Sequence, residues 1–178
     1  MSRRLVLVLG GTRSGKSRFG LARARELGDG GSVTYLATAR PGDPELDDRI
    51  ARHREARPAS WPTIEVGTDL AGAIRVCDPS ATILLDGLTL WLSLVAGDTP
   101  ADVDAILDGP VALARAAIRE HPGPVVVVSD ELGLGMVPLE PVSRAFRDLQ
   151  GLAHQRLADD ADEVHFLVAG LPLTLRDR

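Results

Sequence analysis

Gly10-Gly11-Thr12-Arg13-Ser14-Gly15-Lys16-Ser17 places a glycine, four residues and then Gly-Lys-Ser between the apolar run Leu5–Leu9 and a helix-like segment. This is the spacing of a phosphate-binding loop in its strand-loop-helix setting. Glycines there let backbone N–H groups turn inward around a diphosphate, and the following helix points its positive N-terminal end at the same anion. Lys16 is expected to reach the β- and γ-phosphates and Ser17 to hold Mg²⁺. Lys16 is the only lysine among 20 basic residues. A compact ammonium suits a point contact to phosphate, whereas a guanidinium offers a planar fork. The loop specifies a nucleoside triphosphate and leaves the reaction open.

A second place where chemistry is concentrated is the charged stretch from Arg40 to Trp61. If Pro44 opens a helix and Pro58 closes it, Arg49, His53 and Arg57 fall at i, i+4 and i+8 on one face. Two flanking guanidiniums bias an imidazole towards its neutral, nucleophilic form and would also clamp a phosphate chain. A solvated, salt-bridged helix with a surface histidine fits the same residues, so both readings stay open on composition. Asp86 ends the apolar run Ala81–Leu85, where it either organises Mg²⁺ with Ser17 or caps the next helix. Thr38 ends another strand pattern and should sit near the nucleotide, because ligands of open parallel sheets lie beyond the strands' carboxyl ends.

The elements that must position these residues alternate regularly. Strands are expected over Val33–Ala39, Trp61–Val66, Ala81–Gly87, Pro124–Val128 and a closing Asp162–Gly170, and helices over Lys16–Leu27, Asp69–Val76, Leu88 onward, Ala101–His121 and Phe146–Ala158. Trp91 reads as core and His121 as an exposed helix end. The loop Leu132–Pro138 is apolar and glycine-rich at once, which fits either a flexible pocket wall for bulky apolar surface or a tight packing loop. Such alternation implies an α/β fold with a mostly parallel sheet flanked by helices.

At 178 residues and 44% hydrophobic composition, residues 1–178 are expected to form one domain. The net charge of −5 comes with no long single-sign block, so nothing favours nucleic acid or an anionic membrane as partner. Cys77 is the only cysteine; it excludes an internal disulfide or cysteine metal site, reads as a small buried hydrophobe, and suits a reducing, cytoplasmic location. The short apolar run after Arg3-Arg4 flows directly into the phosphate loop and is not read as a signal peptide. No run of roughly 20 apolar residues is present to span a bilayer.

Along nearly its whole length the chain resembles the bifunctional adenosylcobinamide kinase / adenosylcobinamide-phosphate guanylyltransferase family of cobalamin biosynthesis. The resemblance is carried by the phosphate loop through Arg18, Tyr35–Ala39, Arg49–Pro58 with Trp61 and Glu65, Leu84–Trp91, Glu131–Pro138, and Phe146-Arg147-Asp148 with Gly151 and Gln155. It implies a RecA-like phosphate-loop fold and two reactions: γ-phosphoryl transfer from ATP or GTP to adenosylcobinamide, then GMP transfer from GTP to adenosylcobinamide phosphate through a GMP-histidine intermediate. The family's nucleophile falls on His53, with Lys16 the other catalytic residue. The implied nucleotide contacts are the phosphate loop Gly10–Ser17, Ala37-Thr38-Ala39, Arg54-Glu55-Ala56-Arg57, Glu65 and Asp86. Ser17 and Asp86 are the implied Mg²⁺ residues, and Glu65 is suited to accept from the N1–H and N2–H₂ of guanine. A homotrimer with corrinoid where subunits meet is also implied. The chain departs from the family's usual asparagines at Asp130 and His154. A carboxylate repels polyphosphate unless a cation compensates, which leaves the reach of Asp130 into the site open. His154 is expected on a helix surface.

Overall fold

The computed structural model describes residues 3–39, 42, 48, 51–52, 54–99 and 102–178. Its frame is a seven-stranded sheet in the order β3-β2-β4-β5-β1-β6-β7. The strands are β1 Leu5–Gly10, β2 Val33–Ala37, β3 Thr63–Glu65, β4 Thr82–Asp86, β5 Val125–Asp130, β6 Glu163–Val168 and β7 Leu171–Asp177. All pairings are parallel except β6 with β7. Continuous apolar runs form β1, β4 and β5 because helices cover both faces and no alternation is required.

The helices are α1 Lys16–Gly28, α2 Leu70–Arg75, α3 Leu88–Ala96, α4 Val103–Ile106, α5 Ala112–Glu120 and α6 Pro141–Asp160, with a π-turn at Leu107–Val111 between α4 and α5. One core, including Leu7, Leu85, Trp91, Val127 and Leu149, lies between the sheet and α2, α3, α5 and α6. The other, with Val8, Ala24, Leu84 and Val128, lies under α1. Trp91 is core, as expected, and its indole N–H donates to the Thr68 carbonyl at 3.1 Å.

Several boundaries differ from the sequence reading. The expected helix over Ala101–His121 is interrupted at Leu107–Val111, where Pro110 lacks an N–H. Helix α6 begins five residues before Phe146, with Pro141 in its first turn. The closing strand is a hairpin: Ala169 and Gly170, both with positive φ, turn the chain into the antiparallel β7. His121 is buried rather than exposed, its Nε2 lying 2.9 Å from the Ala81 carbonyl oxygen. Among the described residues no helix is long and apolar enough to cross a membrane.

Candidate active site

The phosphate loop joins β1 to α1 through two left-handed residues, Arg13 at φ 57° and Gly15 at φ 95°. A Cβ on Gly10 would meet Ser14 Oγ at 2.5 Å and the Leu167 carbonyl oxygen at 2.9 Å, so this bend admits only glycine. Gly170 N–H donates to Ser14 O at 2.9 Å, fastening the loop to the β6–β7 turn. Lys16 is buried; its ammonium donates to Gly11 O at 3.2 Å and pairs with Asp130 Oδ1 at 2.5 Å.

β5 lies between β1 and β4, so the carboxyl ends of all three strands meet at one edge of the sheet. Ser17 Oγ there donates to Asp86 Oδ1 at 3.1 Å, and Tyr35 Oη donates to Asp86 Oδ2 at 3.3 Å. Burial and the adjacent Asp86 carboxylate push the Tyr35 phenol well above its ordinary range. The Arg57 guanidinium lies over the Tyr35 ring, 4.0 Å from its centroid. Thr38 Oγ1 donates to the Gly87 carbonyl at 2.8 Å, tying the end of β2 to the end of β4.

These groups line a cavity holding about 830 Å³ of empty space, its open mouth included. Of the sequence-predicted residues, Lys16, Ser17, Ala37, Thr38, Ala39, Arg54, Arg57, Glu65 and Asp86 all face it. Gly10 to Gly15 form the loop beside it, while Glu55 and Ala56 are exposed and do not line it. His53 and Arg49 lie outside the described residues. Residues 51–52 and 54–55 are helical, and the Ala56 N–H to Arg52 O bond of 3.1 Å closes that turn just before Arg57.

Among the lining groups beyond the sequence-predicted set are Asp130 and Tyr35. Asp130 lines the cavity, where Lys16 supplies the compensating cation. Tyr35 belongs to a segment that carries the resemblance, but a strand buried on both faces does not reveal which face each residue takes. A polar network backs the cavity wall. Thr89 Oγ1 accepts from the Asp130 N–H at 2.9 Å and from Gln150 Nε2 at 2.8 Å, so its own O–H is left for Ser129 Oγ at 3.1 Å. Ser129 Oγ in turn lies 2.8 Å from His154 Nε2.

His154 is therefore buried between α6 and β5, contrary to the helix-surface expectation. Desolvation lowers its pKa, against the pull of the Glu131 and Asp130 carboxylates. Among the described residues its Nδ1 has no hydrogen-bond partner, and it faces Glu131 Oε2 at 3.7 Å. That carboxylate favours the Nδ1–H tautomer, leaving Nε2 to accept from the Ser129 hydroxyl.

The hydroxyl of Ser17 and the Asp86 carboxylate are hard oxygen donors. Among the described residues no group of three or more His, Cys, Asp or Glu side chains could form a metal cage. A hydroxyl and a carboxylate of this kind fit Mg²⁺, which takes one or two protein oxygens together with phosphates and water.

Solved structures with this fold include the flagellar accessory protein FlaH of Methanocaldococcus jannaschii, with a TM-score of 0.59, 12% identity and coverage of 98% of this chain and 79% of that one. A KaiC-like protein of Pyrococcus horikoshii gives 0.51 at 14% identity, over 92% of this chain and 70% of its own. These likenesses support the RecA-like phosphate-loop fold. In sequence, the bifunctional adenosylcobalamin biosynthesis protein CobP of Pseudomonas aeruginosa is 44% identical over 172 residues, 96% of each chain. CobU of Salmonella typhimurium, with the same description, is 36% identical over 97% of this chain and 99% of its own. The family model described as cobinamide kinase / cobinamide phosphate guanyltransferase matches residues 6–175, and the chain belongs to that family.

Proposed function

We propose that this chain, acting as a single domain, phosphorylates adenosylcobinamide with ATP or GTP and then transfers GMP from GTP to the product, giving adenosylcobinamide-GDP. The observation that carries the reading is the convergence of Lys16, Ser17 and Asp86 on one cavity with Arg54 and Arg57, which follow His53 in sequence. In the kinase step the acceptor hydroxyl oxygen bonds to the γ-phosphorus, the bridging bond to the β-phosphate breaks, and the hydroxyl proton leaves to solvent or a base. Lys16 neutralises the β- and γ-oxygens as charge shifts to the leaving diphosphate. Mg²⁺ held by Ser17 and Asp86 would supply further charge neutralisation on the phosphates.

In the second step a His53 ring nitrogen attacks the α-phosphorus of GTP and pyrophosphate leaves. A phosphate oxygen of adenosylcobinamide phosphate then attacks the same phosphorus, and the histidine is released. Arg54 and Arg57 would neutralise the α-phosphate, and Glu65, which lines the cavity, would accept from guanine. A homotrimer, expected from the resemblance, completes the proposal.

The test uses GTP labelled at the α- or the γ-phosphate with Mg²⁺, followed by denaturation and peptide mapping. The expected result is acid-labile, base-stable α-label on His53 that is absent from His53→Ala, with γ-phosphoryl transfer retained. Phosphoryl transfer to adenosylcobinamide without any α-label would reduce the protein to a kinase and remove His53 as nucleophile.

A further inference from the structure

Behind the cavity wall lies a histidine with no part in the two steps above. Ser129 and Asp130 end β5, Glu131 follows them, and this short stretch touches the phosphate site twice. The Asp130 carboxylate pairs with Lys16, and the Glu131 N–H donates at 3.0 Å to the carbonyl of Gly10, the first residue of the phosphate loop. From its other side the stretch is held by α6. Gln150 and His154, at i and i+4, share one face of that helix and are both buried. Gln150 reaches Thr89 on α3, and His154 reaches Ser129.

The hydrogen bonds of this network run in one direction. Thr89 Oγ1 accepts from the Asp130 N–H and from Gln150, so both its acceptor sites are filled and its hydroxyl donates to Ser129. Among the described residues Ser129 Oγ has two neighbours within hydrogen-bond distance, Thr89 and His154. Because it accepts from Thr89, its O–H goes to His154 Nε2, and the series ends on a ring nitrogen that must carry no proton. Protonation turns that nitrogen into a donor. Ser129 Oγ would then accept twice, and its own O–H would lose its acceptor at a position that is fully buried, where water cannot replace it. An imidazolium would also draw in Glu131, whose Oε2 lies 3.7 Å from Nδ1 while its Oε1 accepts from the Gly133 N–H. Either response shifts the stretch that carries Asp130.

The charged groups that act on the ring are the Glu131 and Asp130 carboxylates. Helix α3 and strand β1, which also pack against α6, carry no titratable side chain. Asp104 of α4 is exposed, and Asp108 of the π-turn is paired with Arg156 at 2.8 Å. Arg147, two turns earlier on α6, is engaged by the carbonyls of Gly133, Gly135 and Met136. We propose that neutral His154 is a positioning residue of the phosphate site: through Ser129 and Thr89 it fixes the end of β5 where Asp130 meets Lys16, and protonation of its ring loosens that end and weakens phosphoryl transfer. The inference rests on the functional reading above, in which Lys16 holds the phosphates of the nucleotide.

The experiment follows phosphoryl transfer to adenosylcobinamide and the affinity for Mg²⁺-GTP from neutral to acidic pH in the full chain, His154→Gln and His154→Leu, with the histidine ring nitrogens read by NMR. Glutamine offers an uncharged acceptor near the place of Nε2 and does not titrate, whereas leucine fills space and accepts nothing. At neutral pH the unmodified chain should show His154 protonated on Nδ1 and bare on Nε2. Its kcat should fall about tenfold as His154 takes up a proton, in step with the NMR titration and below the ordinary histidine range, because desolvation lowers that pKa. His154→Gln should retain most of the neutral-pH activity and lose this limb, keeping whatever acid limb the substrate phosphates impose. His154→Leu should lose about tenfold in kcat at every pH. An Nε2–H tautomer at neutral pH, an acid limb that His154→Gln shares unchanged with the unmodified chain, or full activity in His154→Leu would each overturn the proposal. Absence of phosphoryl transfer at every pH would sink the functional reading alone, and the pH dependence of Mg²⁺-GTP affinity would then decide the role of His154 by the same comparison of variants.

Discussion

Asp130 and Lys16 form the charge pair that a nucleotide must disturb. At 2.5 Å the carboxylate already satisfies the ammonium that a phosphate would take. A triphosphate arriving without metal loses that cation's full attraction and meets Asp130 as well. Asp130→Asn is therefore expected to tighten GTP binding in EDTA by about tenfold, with a smaller change for Mg²⁺-GTP. Titration of GTP with and without Mg²⁺ checks this, and equal shifts in both conditions would exclude the competition. Asp130 itself was visible as a departure from the family's usual asparagine, but its contact with Lys16 was not, since the two residues are far apart in sequence. His121 and His154 illustrate the same limit. Each lies on or next to a helix whose buried face depends on what packs against it, and both proved buried.

Helix α1 carries Lys16 and Ser17 at its start, so its distance from the sheet sets the phosphate geometry. Gly20 controls that distance: a Cβ there would lie 2.5 Å from Val128 Cγ2 on β5. Valine is stiff and Val128 is fully packed, so neither side can yield cheaply. Gly20→Val should cost about 1–3 kcal/mol of stability, read as a lower urea midpoint, and raise the KM for nucleotide by displacing α1. A variant with unchanged midpoint and KM would refute the close-packing argument. Element types were legible in the sequence because the apolar runs and glycine turns are local signals. The interruption at Leu107–Val111 was not, as the amphipathic pattern continues on both sides of it. Strand β7 was missed because its large apolar side chains, Leu171, Leu173 and Leu175, alternate on an exposed edge rather than entering the core.

At the scale of the molecule, Glu163 on β6 joins the start of β1, α1 and the chain's last strand. It pairs with Arg4 Nε at 2.7 Å, accepts from Arg23 Nε at 3.0 Å and lies 3.1 Å from His165 Nε2, while Arg4 also reaches Asp177 at 3.1 Å. Burial raises the Glu163 pKa, but hydrogen bonds from Arg23 and His165 more than offset it and hold the carboxyl below the usual range. A depressed folded-state pKa stabilises the fold above the unfolded value of about 4.3, and that stability is lost as pH falls through the folded value. Glu163→Gln should cost roughly 2 kcal/mol at neutral pH, discounted for the partly exposed arginines, and should flatten the acid limb of stability. Urea midpoints between neutral and acidic pH measure both effects; an unchanged acid limb would remove Glu163 from the account.

The sequence alone determined the phosphate loop, the alternation of strands and helices, and the placement of Thr38 and Asp86 at strand ends, because each is written in neighbouring residues. Only the tertiary structure decided that β5 lies between β1 and β4, that Asp130 meets Lys16, that His154 is buried behind Ser129, and that the Leu132–Pro138 loop turns its apolar side chains outward. Those outcomes depend on which strands pair and which helix faces pack. Uniformly apolar strands can be ordered in several ways that look alike locally, and only the packing of the whole chain selects one.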